Sequence, residues 1–139
     1  MKSVLLSLCM TMALGALAQQ PVQFKLTIKN FKSTEGKIRA AMFSDEDSYL
    51  KTPTFAMDTV IYNTETVVLV FGGVPNGEYA ISIYHDLNEN KELDANFMGI
   101  PSEPYAFSNN APSRFGPAKY NEAKILINNT NNEHSITLN

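Results

Sequence analysis

Between Thr66 and His85 the chain reads T-V-V-L-V-F-G-G-V-P-N-G-E-Y-A-I-S-I-Y-H, two β-branched and aromatic runs flanking a Gly/Pro/Asn cluster. The first run, Thr66 to Phe71, is apolar on both faces, the pattern of a central strand covered on both sides. The second alternates. Tyr79, Ile81 and Ile83 share one face while Ala80, Ser82 and Tyr84 share the other, the period of two that a strand imposes. Pro75 presets its dihedral and Gly77 tolerates a positive one, so the chain turns between the runs and the spacing predicts a hairpin. A chain built around such a pair has to bury a sheet.

The rest of the sequence extends this pattern. Phe24, Leu26 and Ile28 alternate with Lys25, Thr27 and Lys29, a half-buried strand. Asn30 to Gly36 has turn chemistry that predicts a second hairpin, followed by a strand at Lys37 to Phe43. Phe55 to Tyr62, Lys124 to Ile127 and His134 to Leu138 complete the set. The expectation is an all-β, antiparallel, seven-stranded immunoglobulin-like or prealbumin-like sandwich. From Leu87 to Ala123 no period persists, yet Phe97, Tyr105, Phe107, Phe115 and Tyr120 argue against disorder, because disordered segments are poor in aromatics. This stretch reads as a long ordered loop before the last two strands.

Residues 1–18 carry Lys2, an apolar run and an A-x-A ending at Ala16 to Ala18, the features of a signal peptide. The expectation is an exported protein, periplasmic or extracellular, with one domain over residues 19–139 and no membrane span after cleavage. The single cysteine, Cys9, falls in the leader, which excludes disulfide and thiol chemistry from the mature chain. A net charge of −3 without a basic cluster excludes a nucleic-acid surface.

The strongest chemical pattern begins where the Tyr79 strand ends. Asp86, Asn88, Asn90 and Asp94 occupy relative positions 1, 3, 5 and 9 of a calcium-type loop, with the Glu92 carbonyl at position 7. Alternate hard oxygen ligands can converge on one ion while the backbone wraps it. Lys91 stands where such loops use glycine and Phe97 where they use a bidentate Glu, so a plain turn, in which Asp and Asn bond their own backbone, is the competing reading. His85 beside Asp86 raises a metal-dependent enzyme using His85, Asp86 and Asp94. Strand parity points the two side chains apart, which favours a buried histidine bonded to a loop carbonyl. A purely structural domain is the third alternative. In the long loop, Tyr105, Phe107, Asn109, Asn110, Arg114 and Phe115 mix aromatic faces with amide and guanidinium donors, a combination suited to a carbohydrate, a peptide or an envelope protein partner. The bland reading is that the aromatics pin the loop to the sheet.

Three further stretches carry a resemblance. H-D-L-N-E-N-K-E-L-D at His85 to Asp94, F-M-G-I-P-S-E-P-Y-A-F-S-N-N at Phe97 to Asn110 and R-F-G-P-A-K-Y-N-E-A at Arg114 to Ala123, with the V-P-N-G-E-Y turn, resemble the exported bacterial family labelled domain of unknown function 2141. The resemblance implies a prealbumin-like sandwich in an exported protein and assigns no activity. The family commonly places Asn-Gly inside the acidic loop, where this chain has Asn90-Lys91. Together these readings predict a non-catalytic binding or accessory module, with calcium as the candidate cofactor of the acidic loop.

Overall fold

The computed structural model describes residues 19–139; the expected leader, with Cys9, lies outside the described residues. In chain order the elements are β1 (Val22–Lys29), β2 (Lys37–Phe43), β3 (Phe55–Val60), β4 (Thr66–Val74), β5 (Gly77–Asp86), β6 (Tyr105–Phe107), a 3-10 turn (Ser108–Asn110), α1 (Tyr120–Ala123), β7 (Ile125–Ile127) and β8 (Glu133–Thr137). They form two sheets, one ordered β4-β1-β8 and the other β3-β2-β5-β6, with β7 paired to the start of β5. The alternating faces meet between the sheets. Phe24, Leu26 and Ile28 from β1 pack with Ile38 and Met42 from β2, Val67 and Leu69 from β4, Ile81 and Ile83 from β5, and Ile136 from β8. Among the described residues no helix is long and apolar enough to cross a membrane.

The sandwich differs from the sequence reading in four ways. It has eight strands rather than seven, because the long loop contains β6, which pairs Tyr84↔Tyr105 and Ser82↔Phe107 along β5. It is not wholly antiparallel: β1 and β8 run parallel from Lys25↔Glu133 to Lys29↔Thr137. β8 is entered from the opposite sheet, so no tight hairpin forces it to reverse direction against its neighbour. Both predicted hairpins are turns that change sheets. β1 is flanked by β4 and β8, and β2 by β3 and β5, so the Asn30–Gly36 and Val74–Gly77 connections arch over the core instead of closing a ladder. An alternating pattern suits either geometry, since both bury the same face. Finally, β4 is an edge strand whose Val68 and Val70 are 39% and 48% exposed, not a strand covered on both sides. Branched side chains fit a pleated surface whether or not a layer covers them.

The long loop is ordered by a second cluster on the outer side of β5. Ala80, Phe107, Ala111, Ala118, Tyr120 and Ala123 bury one another there, with Tyr49 and Tyr105 packed against them. Ser108, fully buried, accepts the Ile81 amide through Oγ at 2.9 Å and donates to the Ala123 carbonyl. The excursion therefore leaves the end of β5, returns as β6 and is riveted to the sheet.

Candidate functional site

The acidic loop starts from a fixed base. His85 lies on the core face of β5, fully buried, with Nε2 donating to the Glu35 carbonyl at 2.6 Å and the Phe31 ring edge-on at 5.8 Å. Gly36, the next residue of the β1–β2 arch, lies directly against the Asp86 and Leu87 backbone. Asp86 points to the other side of the sheet, also fully buried. Its Oδ2 accepts Arg39 Nε at 2.5 Å and the Lys91 amide at 3.0 Å, and its Oδ1 accepts the Asn90 amide at 3.1 Å. Burial pushes this carboxyl up, but the Arg39 bond and the two amides outweigh it and hold the group below its ordinary 3.8.

Farther along, Asn88 Nδ2 donates to Asp94 Oδ2 at 2.6 Å and Asn90 Nδ2 to Asp94 Oδ1 at 2.8 Å. The Asn90 side-chain oxygen accepts the Glu92 amide at 3.0 Å, and the Glu92 side chain is exposed. Glu103, buried, closes the loop from outside: one carboxylate oxygen accepts the Leu87 amide at 2.8 Å and the other the Asp94 amide at 3.1 Å. The structure thus brings Asn88, Asn90 and Asp94 together and turns Asp86 toward Arg39. Among the described residues no three carboxylate, histidine or cysteine side chains gather into a metal-holding group.

The sequence did not reveal the feature beside this loop. On the outer face of the larger sheet, strand register aligns Asp58, Arg39, Tyr84 and Tyr105 in one row across β3, β2, β5 and β6. The neighbouring row is Ala56, Ala41, Ser82 and Phe107. Small side chains beside large ones leave a trough of about 370 Å3, floored by Ala41, Ala56 and Ser82 and walled by Arg39, Asp58 and Tyr84, with Pro53 and Lys91 also lining it. Arg39 is held in place from two sides, by Asp86 and by Asp58, whose Oδ2 is 3.7 Å from its Nη1. Burial pushes the Tyr84 phenol up, so it stays a neutral hydroxyl donor. Outward parity was readable for Arg39, Asp58 and Tyr84. Their alignment depends on pairings between strands distant in sequence, which no local pattern encodes.

Of the surface residues expected in the long loop, several are turned to internal work. Phe107 is a buried member of the second cluster. Asn109 takes a left-handed conformation at φ 60°, its amide donates to His134 Nε2 at 3.0 Å, and its side chain donates to the Glu122 and Lys124 carbonyls. Asn110 accepts the Thr137 amide at 2.9 Å. Together they fasten the loop to β8. Tyr105, half-buried, accepts a bond from Ser113 and meets Phe107 edge-on. Arg114 and Phe115 are exposed and line a shallower hollow with Pro112, Lys119 and Glu122.

The family described as "uncharacterized protein conserved in bacteria" (DUF2141) matches residues 26–135. The chain belongs to this family. No curated protein and no solved structure matches it. The match to DUF2141 spans both sheets, the acidic loop and the row Asp58, Arg39, Tyr84 and Tyr105, so the site described above lies inside the family's own boundaries.

Proposed function

We propose that this DUF2141 member is an exported, non-catalytic binding module whose sheet trough takes a carbohydrate. The observation that carries the reading is the trough itself: an open hollow of about 370 Å3, within the size range of small-molecule sites, in which Asp86 holds the Arg39 guanidinium in place before any ligand arrives. Tyr84 offers a ring face and a hydroxyl, while Ser82, Asp58, Arg39 and Lys91 offer hydrogen-bonding groups of both kinds. The metal-dependent enzyme is disfavoured because His85 faces the core on the Glu35 carbonyl while Asp86 is engaged by Arg39. Soluble oligosaccharides presented on an array and confirmed by calorimetry test the reading. Wild type is expected to bind, and Ala56→Trp, which fills the trough from an exposed edge position, is expected to weaken binding at least tenfold. No binding by wild type to any glycan, or unchanged binding by Ala56→Trp, overturns it.

Calcium in the acidic loop is a second reading, favoured by one observation. The Asn88 and Asn90 amide nitrogens both approach the Asp94 carboxylate; rotating each amide would present two carbonyl oxygens beside that carboxylate, at the cost of the bonds those oxygens now accept from the Asn90 and Glu92 amides, which the ion would have to offset. Chelator is then expected to lower Tm in wild type and to have no effect in Asp94→Asn. Identical wild-type melts with and without chelator remove the metal.

A further inference from the structure

The stretch from Ala95 to Ser102 reads A-N-F-M-G-I-P-S and contains no charge. It forms a tight turn organised by one residue. Asn96 donates its amide to the Ile100 carbonyl at 2.8 Å, its side-chain oxygen accepts the Met98 and Ile100 amides at 2.9 and 3.1 Å, and its carbonyl accepts the Gly99 amide at 2.9 Å. Ala95 and Pro101 bridge beneath it, and the Ser102 amide bonds the Asp94 carbonyl. On this fixed frame Phe97 is 97% exposed, Met98 65% and Ile100 54%. Three large apolar side chains held outward at one point contribute nothing to the core, and a rigid frame lowers the ordering cost of any docking they perform.

We propose that this tip docks the protein on a zwitterionic phospholipid bilayer, seating Phe97, Met98 and Ile100 at the boundary between headgroups and acyl chains. Two features favour lipid over a protein pocket. The turn satisfies the amides of Asn96, Met98, Gly99 and Ile100 internally and Pro101 has none, so of the tip's backbone donors only the Phe97 amide is left for the hydrated headgroup layer, where a shallow seat at the headgroup boundary keeps it in reach of water. From Phe97 to Ile100 no side chain carries a polar group that would orient a partner protein, whereas insertion into lipid is non-directional. Glu89 is paired with Lys37 at 3.7 Å, and of the adjoining loop's remaining charges Glu92 and Asp94 outnumber Lys91, a balance that favours a zwitterionic surface over an anionic one.

The full chain contains no tryptophan, so Phe97→Trp is a unique reporter at the tip. Titration with phosphatidylcholine and phosphatidylethanolamine vesicles is expected to blue-shift its emission, with quenching by brominated acyl chains and a partition constant of at most about 10⁴ M⁻¹, as for other single-element anchors. Leu126→Trp, on β7 opposite the beginning of β5, is expected to show neither change. In flotation, the combined Phe97→Ser, Met98→Ser and Ile100→Ser variant is expected to stay with the unbound fraction, circular dichroism confirming its fold. Unchanged Phe97→Trp emission at millimolar lipid overturns the proposal and returns the tip to protein-docking loops. Equal flotation of the triple variant, or binding that requires anionic lipid, also overturns it.

Discussion

Substituting Gly36 by alanine tests whether the β1–β2 arch fixes the base of the acidic loop. Gly36 has φ +68°, and a Cβ there would lie 2.1 Å from the Asp86 carbonyl oxygen, 2.8 Å from Leu87 Cα and 2.9 Å from the Asp86 carbonyl carbon. All three are backbone atoms, so no rotamer change relieves the contact; the arch or the loop has to move. The left-handed conformation costs a non-glycine residue about 1 kcal/mol, and forced overpacking adds about 1–3 kcal/mol. Gly36→Ala is expected to lose about 3 kcal/mol, which for a domain of this size lowers Tm by roughly 10 °C. Two other glycines separate the contributions. Gly73 has φ +69° with open space around its missing Cβ, and Gly72 has open space without a positive φ. Gly73→Ala should therefore cost about 1 kcal/mol, and Gly72→Ala should report the background. Thermal unfolding of the four proteins by circular dichroism provides the comparison. If Gly36→Ala melts within about 2 °C of Gly73→Ala, the close approach to Asp86 carries no energy and the reasoning fails.

Three further outcomes follow from the same structure. Asp86 has a depressed carboxyl, so its contribution to stability is complete above the ordinary 3.8 and is lost as pH falls through the lower folded value; Asp86→Asn should flatten the acid limb of the Tm-against-pH curve and destabilise the protein by about 3 kcal/mol at pH 7. Burial lowers the His134 pKa below 6.5, and its Nε2 must stay unprotonated to accept the Asn109 amide. Stability should therefore decline as pH falls below 6.5, and His134→Phe should remove that part of the decline, measured by urea unfolding between pH 7 and pH 5. Glu103→Ala removes the acceptor of the Leu87 and Asp94 amides, so hydrogen exchange at both should accelerate at least tenfold while the amide of Ile83 stays protected; equal protection would show that the carboxylate does not close the loop.

What the sequence made legible was local. Alternation placed Phe24, Leu26, Ile28, Ile81 and Ile83 in the core, parity turned His85 away from Asp86, and the aromatic content of the long loop pointed to order; each depends on the two-residue period or on composition. The arches were misread because Pro75 and Gly77 specify that the chain turns and say nothing about which sheet it enters. The fastening of Asn109 and Asn110 to β8, and of Arg39 to Asp86, joins residues far apart in sequence, so neither leaves a mark in any short window. The acidic loop shows both sides of this. Asn88, Asn90 and Asp94 meet by bonding one another, which a plain turn of Asp and Asn does as readily as a calcium loop, while Asp86 is drawn off by Arg39, 47 residues away.

The parallel pairing of β1 with β8 also sets an order of events in time. The Asn30 side chain reaches the Leu138 carbonyl 108 residues away, the Leu138 amide reaches back to Lys29, and Ile136 and Leu138 fill the core beneath β1. A chain growing from its N-terminus makes β1 almost first, yet leaves one of its edges bare and part of its inner face uncovered until residues 133–138 emerge. Contacts of such long span slow folding, because the loop must close before it is rewarded. The sandwich is therefore expected to close late and at once, with β8 as the element whose arrival converts a loose collection of strands into a domain.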